Sequence, residues 1–252
     1  MSEYKCGFAE INETTIYFEM KGEGHPLVMV HGQPLDSRMW DEQFEEFSKS
    51  FLTIRFDMPG NGKSGVHNNE FSLLKDMKSL LEFLEIDRTF LIGLSVGGML
   101  CLDFTLGWAE VSSERQKFNE KLNAYYQSGD KEQSIQLMTN TWLAGPFRSA
   151  DKVNQDIKVK FYEMVRTSFN KERGKGKMIL PETRTIDVVE NISVPTLIVS
   201  SELDFPEFIE IAKFLNGKIK NSQLISIQGT AHMINMEKPI EFNYQVACFL
   251  AN

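Results

Sequence analysis

Cysteine is scarce. The 252 residues contain three, Cys6, Cys101 and Cys248, set far apart. An odd count without a CxxC pair or Cys/His ligand spacing excludes a disulfide framework and a structural zinc. Positive charge is also short. Lys and Arg total 27 against 35 Asp and Glu, a net charge of −8. With no basic cluster to meet phosphates, nucleic acid is not expected as a partner. Long apolar runs are missing as well: none approaches the ~18 residues that span a bilayer. The first residues, M-S-E-Y-K-C-G-F, have no apolar signal core. The expectation is a cytoplasmic protein that does not contact membrane. Hydrophobic residues at 42% and charged ones at 25% are ordinary globular usage and exclude a disordered or fibrous chain.

What is present is alternation. Phe8–Ile11 and Thr14–Glu19 flank Asn12-Glu13 as a hairpin. Leu27–Val30 is wholly apolar, as in a strand buried on both faces. Met39–Lys49 predicts a helix, Phe51–Phe56 a strand, Phe71–Leu84 an amphipathic helix and Thr89–Ile92 a further buried strand. From Gly107 to Asn191 there is no buried-strand signal, only helical stretches over 109–127, 131–143 and 150–170. Alternation then resumes with a strand at Thr196–Ser200, a helix opened by Pro206, a strand at Gln223–Ile227 and a helix opened by Pro239. The predicted class is α/β, with a mostly parallel sheet, helices on both faces and a helical insertion.

One motif carries chemistry. Gly93-Leu94-Ser95-Val96-Gly97-Gly98 follows a predicted strand and opens a predicted helix. In that context G-x-S-x-G lifts a serine hydroxyl above a sheet on a strained turn. Here the chain resembles the α/β-hydrolase superfamily, whose order is nucleophile, acid, histidine. Val194–Asp204 is similar to the family's late strand ending in the acid, and Gln228–Met233 to its histidine loop. The resemblance implies Ser95 as nucleophile, His232 as base and Asp204 as orienting acid, with Glu202 in reserve. His31-Gly32-Gln33-Pro34 resembles the family's oxyanion turn. It implies that the amides of Gln33 and Val96 receive the oxyanion, and that His31 is structural. Aromatic residues of the insertion, Trp142 and Phe147, are expected at the substrate pocket.

A serine at the elbow suits acyl transfer and sets the chain apart from relatives with aspartate there. The resemblance implies a small ester or lactone as substrate, and neither metal nor organic cofactor. Gly60-Asn61-Gly62-Lys63-Ser64 imitates a phosphate loop, but the glycine required five residues before Gly62 is Asp57. It is read as structural.

The implied domains are a hydrolase core of 1–106 with 185–252 and a helical cap of 107–184. One departure stands out. The family has an apolar strand after the helix that follows the elbow, and no such run precedes Gly107-Trp108-Ala109-Glu110. A sheet short of that strand could displace Asp204 and His232 from Ser95. The alternative expectation is therefore a catalytically impaired relative that binds a small molecule.

Overall fold

A computed structural model describes residues 4–102, 113–172, 174–179 and 189–251. They fall into two compact units, Met1–Thr105 with Asn170–Thr185, and Leu106–Phe169 with Ile186–Asn252.

The first unit is built on a mixed sheet of five strands. β1 (Tyr4–Ile11) and β2 (Thr14–Lys21) form the predicted hairpin. Its two-residue turn places Asn12 at φ 48° and Glu13 at φ 61°, as a turn matched to strand twist requires. β3 (Pro26–Val30), β4 (Leu52–Phe56) and β5 (Phe90–Gly93) complete the order β1-β2-β4-β3-β5. β3 is parallel to both β4 and β5, and β2 is antiparallel to β4. β3 is buried almost throughout because strands flank it on both sides. β5 corrects the sequence reading: as the last strand of its sheet it leaves Phe90 and Leu91 37% and 38% exposed.

The expected helix at Met39–Lys49 divides into a 3-10 turn, Ser37–Trp40, and α1 (Asp41–Phe47). The Asp36 carboxylate caps the 3-10 turn by accepting from the Arg38 amide. α2 (Leu73–Phe83) buries Leu73, Met77 and Leu80 against Val28, Ile54 and Phe56 of the sheet. Burying a side chain of this kind is worth about 1.5–3 kcal/mol. α3 (Val96–Cys101) follows β5. Cys101 is half-buried against the sheet's core, and desolvation pushes its thiol up to about 12.

The second unit holds α4 (Ser113–Ser128), α5 (Lys131–Ala144) and α6 (Gln155–Asn170). α6 buries Phe161, Met164 and Val165 at the steps of three and four that one helix face demands. It starts later than predicted because the Asn154 side chain caps the amides of Asp156 and Ile157. β6 (Thr196–Ser201) and β7 (Ser222–Ile227) pair in parallel across α7 (Pro206–Lys218). A short α8 (Ile234–Glu237) precedes α9 (Pro239–Leu250). Trp108 and the Gly107–Glu110 junction lie outside the described residues. Among the described residues, no strand intervenes in sequence between β5 and β6. No helix among them is long and apolar enough to cross a membrane.

Candidate active site

In the first unit, Ser95 is held at φ 55°, ψ −119°, between β5 and α3. A non-glycine residue there is strained by about 1–3 kcal/mol, so the neighbouring packing must enforce it. The packing is backbone on backbone. A Cβ on Gly93 would sit 2.3 Å from the Gly97 carbonyl oxygen, and one on Gly97 would sit 2.1 Å from that of Val30. Both positions therefore require glycine, and the strand-to-helix turn can be tight only because they are.

The His31–Pro34 turn lies beside the elbow. The Leu94 amide donates to the Val30 carbonyl at 3.2 Å, and a Cβ on Gly32 would lie 3.4 Å from the Cβ of Ser95. Gln33 is exposed and joined to Pro34 by a cis peptide bond. The amides of Gln33 and Val96 have no hydrogen-bond partner among the described residues.

His31 is fully buried and fixed on both ring nitrogens. Nδ1 donates to the Gly32 carbonyl at 3.0 Å, and Nε2 accepts from the Met58 amide at 2.9 Å. The second bond requires an unprotonated Nε2, and burial draws the imidazole pKa below its ordinary value. This histidine is a neutral strut between the turn and the glycine-rich loop at 57–65. The loop is held from within: Asp57 accepts from the amides of Ser37 and Lys63 at 2.8 and 2.7 Å.

In the second unit Asp204 and His232 meet. Asp204 and His232, both buried, are joined by a bond of 2.7 Å from Nδ1 to Oδ2. The other carboxylate oxygen accepts the Phe205 amide at 2.8 Å. Since Nδ1 donates to the carboxylate, Nε2 of the neutral ring is the lone-pair nitrogen. That Nε2 is buried and has no hydrogen-bond partner among the described residues. Trp142 and Phe208 flank the ring, each with its centroid 4.6 Å away. Glu202, the reserve acid of the sequence reading, is exposed and accepts the Gly229 amide at 2.8 Å, away from the His232–Asp204 bond.

Two supports of His232 went unread in the sequence. The Glu237 carboxylate accepts the Ala231 amide at 2.8 Å and pairs with Arg148 at 2.5 Å. Arg148 also donates to the carbonyls of Leu143 and Gly229, at 2.5 and 3.0 Å. The loop carrying His232 is thus tied to the chain just after α5. A glutamate five residues beyond the histidine was a visible signal, whereas nothing local marks Arg148. Phe205 and Phe208, three apart at the start of α7, were also within reach of a periodicity argument. Trp142 touches His232, and Phe147 is 58% exposed. Among the described residues no cluster of His, Cys, Asp and Glu could hold a metal ion.

Residues 25–106 match the family described as alpha/beta hydrolase fold. An AB hydrolase superfamily protein of Bacillus subtilis (strain 168), YisY, is 25% identical over 93% of this chain and 95% of its own. The 3-oxoadipate enol-lactonase 1 of Acinetobacter baylyi is 22% identical over 90% of each chain. Among solved structures, a bromoperoxidase from Bacillus anthracis superposes with a TM-score of 0.78 at 22% identity, covering 98% of this chain and 100% of that one. With the elbow, the glycine-backed turn and these matches along nearly the full length, the chain belongs to the α/β-hydrolase superfamily.

Proposed function

We propose that the protein is a serine hydrolase of small esters or lactones, with Ser95, His232 and Asp204 as its triad. The observation that carries this is the His232 ring, tied to Asp204 through Nδ1 and with a buried Nε2 lacking a partner among the described residues. An unsatisfied buried acceptor costs about 1–3 kcal/mol. A serine hydroxyl presented on an elbow is the donor such a nitrogen fits.

In the reaction, Ser95 Oγ attacks the ester carbonyl carbon while its proton passes to Nε2. Asp204 stabilises the imidazolium, and the amides of Gln33 and Val96 receive the negative oxygen. The ester C–O bond breaks, and Nε2 returns the proton to the leaving alcohol. Water then attacks the acyl-serine with His232 as base, releasing the acid and restoring Oγ–H. Trp142, against His232, would shape the apolar part of the substrate, and Phe147 would contribute at the rim. The name of the enol-lactonase relative supports the lactone class.

Fluorophosphonate labelling with peptide mapping tests this without the natural substrate. Modification at Ser95 that is lost in His232→Ala is the expected result. A cooperatively folded protein that resists the reagent would overturn the proposal and favour the binding role.

A further inference from the structure

The segment leaving α6 carries a lysine in an uncommon setting. Lys171 Nζ donates to three main-chain carbonyls of the glycine-rich loop: Asn61 at 3.1 Å, Gly62 at 2.9 Å, and Ser64. Three carbonyl oxygens converging on one ammonium use its three donors. The cation also faces the Asp57 and Asp36 carboxylates, which oppose the downward pull of burial on its pKa. Residues beyond it are laid against the same unit. The Gly176 amide donates to the His67 carbonyl at 2.9 Å, and Phe71 exchanges backbone bonds with Lys177 and Ile179 at 3.0 and 2.7 Å.

The loop that Lys171 grips is the one that braces the oxyanion turn. Ser64 Oγ donates to the Asp57 carbonyl at 2.5 Å, and Asp57 accepts the Ser37 amide. One residue on, the Met58 amide holds His31 Nε2, whose ring holds the Gly32 carbonyl. The Leu35 amide shares that carbonyl at 2.9 Å, closing the turn that contains Gln33. From Lys171 to the turn that contains Gln33 the path is therefore a chain of polar bonds in one unit, part-buried at Lys171 and buried from Ser64 to Gly32.

We infer that Lys171 is a positioning residue for the oxyanion turn: its ammonium, caged by the Asn61, Gly62 and Ser64 carbonyls, sets the loop that fixes His31 and so the Gln33 amide. Without the cation, three carbonyl oxygens converge with nothing between them, and the loop must open to water. The inference rests on the serine-hydrolase reading for its effect on rate, and on geometry alone for its effect on the loop.

The test is Lys171→Met, which keeps the apolar stem and removes the charge, in the full chain. Two quantities are read: the inactivation rate and half-saturation of a fluorophosphonate, and amide hydrogen exchange. The expected result is a maximal inactivation rate lower by about tenfold, with half-saturation unchanged. Exchange rises in peptides spanning 31–36 and 57–65 and not in α2. Unchanged exchange in those two peptides, or a uniform rise across the unit, overturns the inference. So does an unchanged rate in a wild-type background that labels. If the wild type does not label, the serine-hydrolase reading fails, and exchange alone decides whether Lys171 sets the loop. Should Lys171→Met not fold, Lys171→Gln, with two neutral N–H donors, is measured in the same way.

Discussion

The two units hold two kinds of machinery. The elbow unit does its work with main chain: a strained φ at Ser95, glycines that let carbonyls approach, two amides without partners among the described residues, and a histidine wedged between backbone groups. The other unit works with side chains. Asp204 is joined to His232, Trp142 and Phe208 flank the ring, and Glu237 with Arg148 holds its loop. The lesson is that they fail differently. A backbone site is broken by adding atoms, since there is no room for them. A side-chain site is broken by removing atoms, which leaves buried polar groups alone.

The largest expected effect belongs to the proposed triad. Ser95→Ala and His232→Ala should each lower kcat on a short-chain aryl ester by about 10⁴–10⁶, and the double variant should be no worse than the poorer single one. Multiplying losses would mean that Ser95 and His232 do not serve one reaction. Next is the choice of acid. Asp204→Asn should cost about 10⁴ in kcat through the wrong imidazole tautomer, whereas Glu202→Gln, at a carboxylate that meets the Gly229 amide and the Gln228 side chain, should stay within about tenfold. A reversal of that order would assign the acid to Glu202.

Adding an atom to the backbone half tests the contrast directly. The Cβ of Gly97→Ala would meet the Val30 carbonyl oxygen at 2.1 Å. The expected loss is about 4 kcal/mol in urea unfolding, the range reserved for overpacking at sites that cannot relax. A variant as stable as the wild type would show that the elbow can widen, and that its glycines are not what enforces Ser95.

The same contrast explains what could be read from the residues. Ser95, Gly93, Gly97 and the His31–Pro34 turn are contiguous stretches, so a local pattern exposes a backbone-built site. The sheet strands were legible for the same reason, because burial on both faces leaves runs such as Leu27–Val30. β5 was misread as buried because a strand at the end of a sheet has the same apolar wording as a central one. Asp204 and His232 were found through their family wording. Their supports were not, since Arg148 reaches Glu237 across 89 positions and Lys171 reaches the loop across more than 100. No window of sequence contains such a pair, and neither side chain differs in type from a solvated surface charge.

The smallest effects belong to the Arg148–Glu237 bridge, where the pH dependence has a definite sign. Breaking the bridge by Arg148→Met strands a carboxylate that is 7% exposed, at an expected cost of about 3 kcal/mol near neutral pH. That cost should shrink on acidification as Glu237 protonates, and Arg148→Met with Glu237→Gln should recover most of it. In the wild type, burial holds the Glu237 pKa above 4.5, against the opposing pull of the Ala231 amide and Arg148. The folded protein then binds this proton more tightly than the unfolded chain does. Its contribution to stability is fully present below the unfolded pKa and is lost as pH rises through the folded one. Glu237→Gln has no proton to lose, so its unfolding free energy should lack that decline. Parallel curves for wild type and variant across this window would mean that Arg148 neutralises the burial penalty completely. The second unit would then owe none of its pH dependence to the bridge.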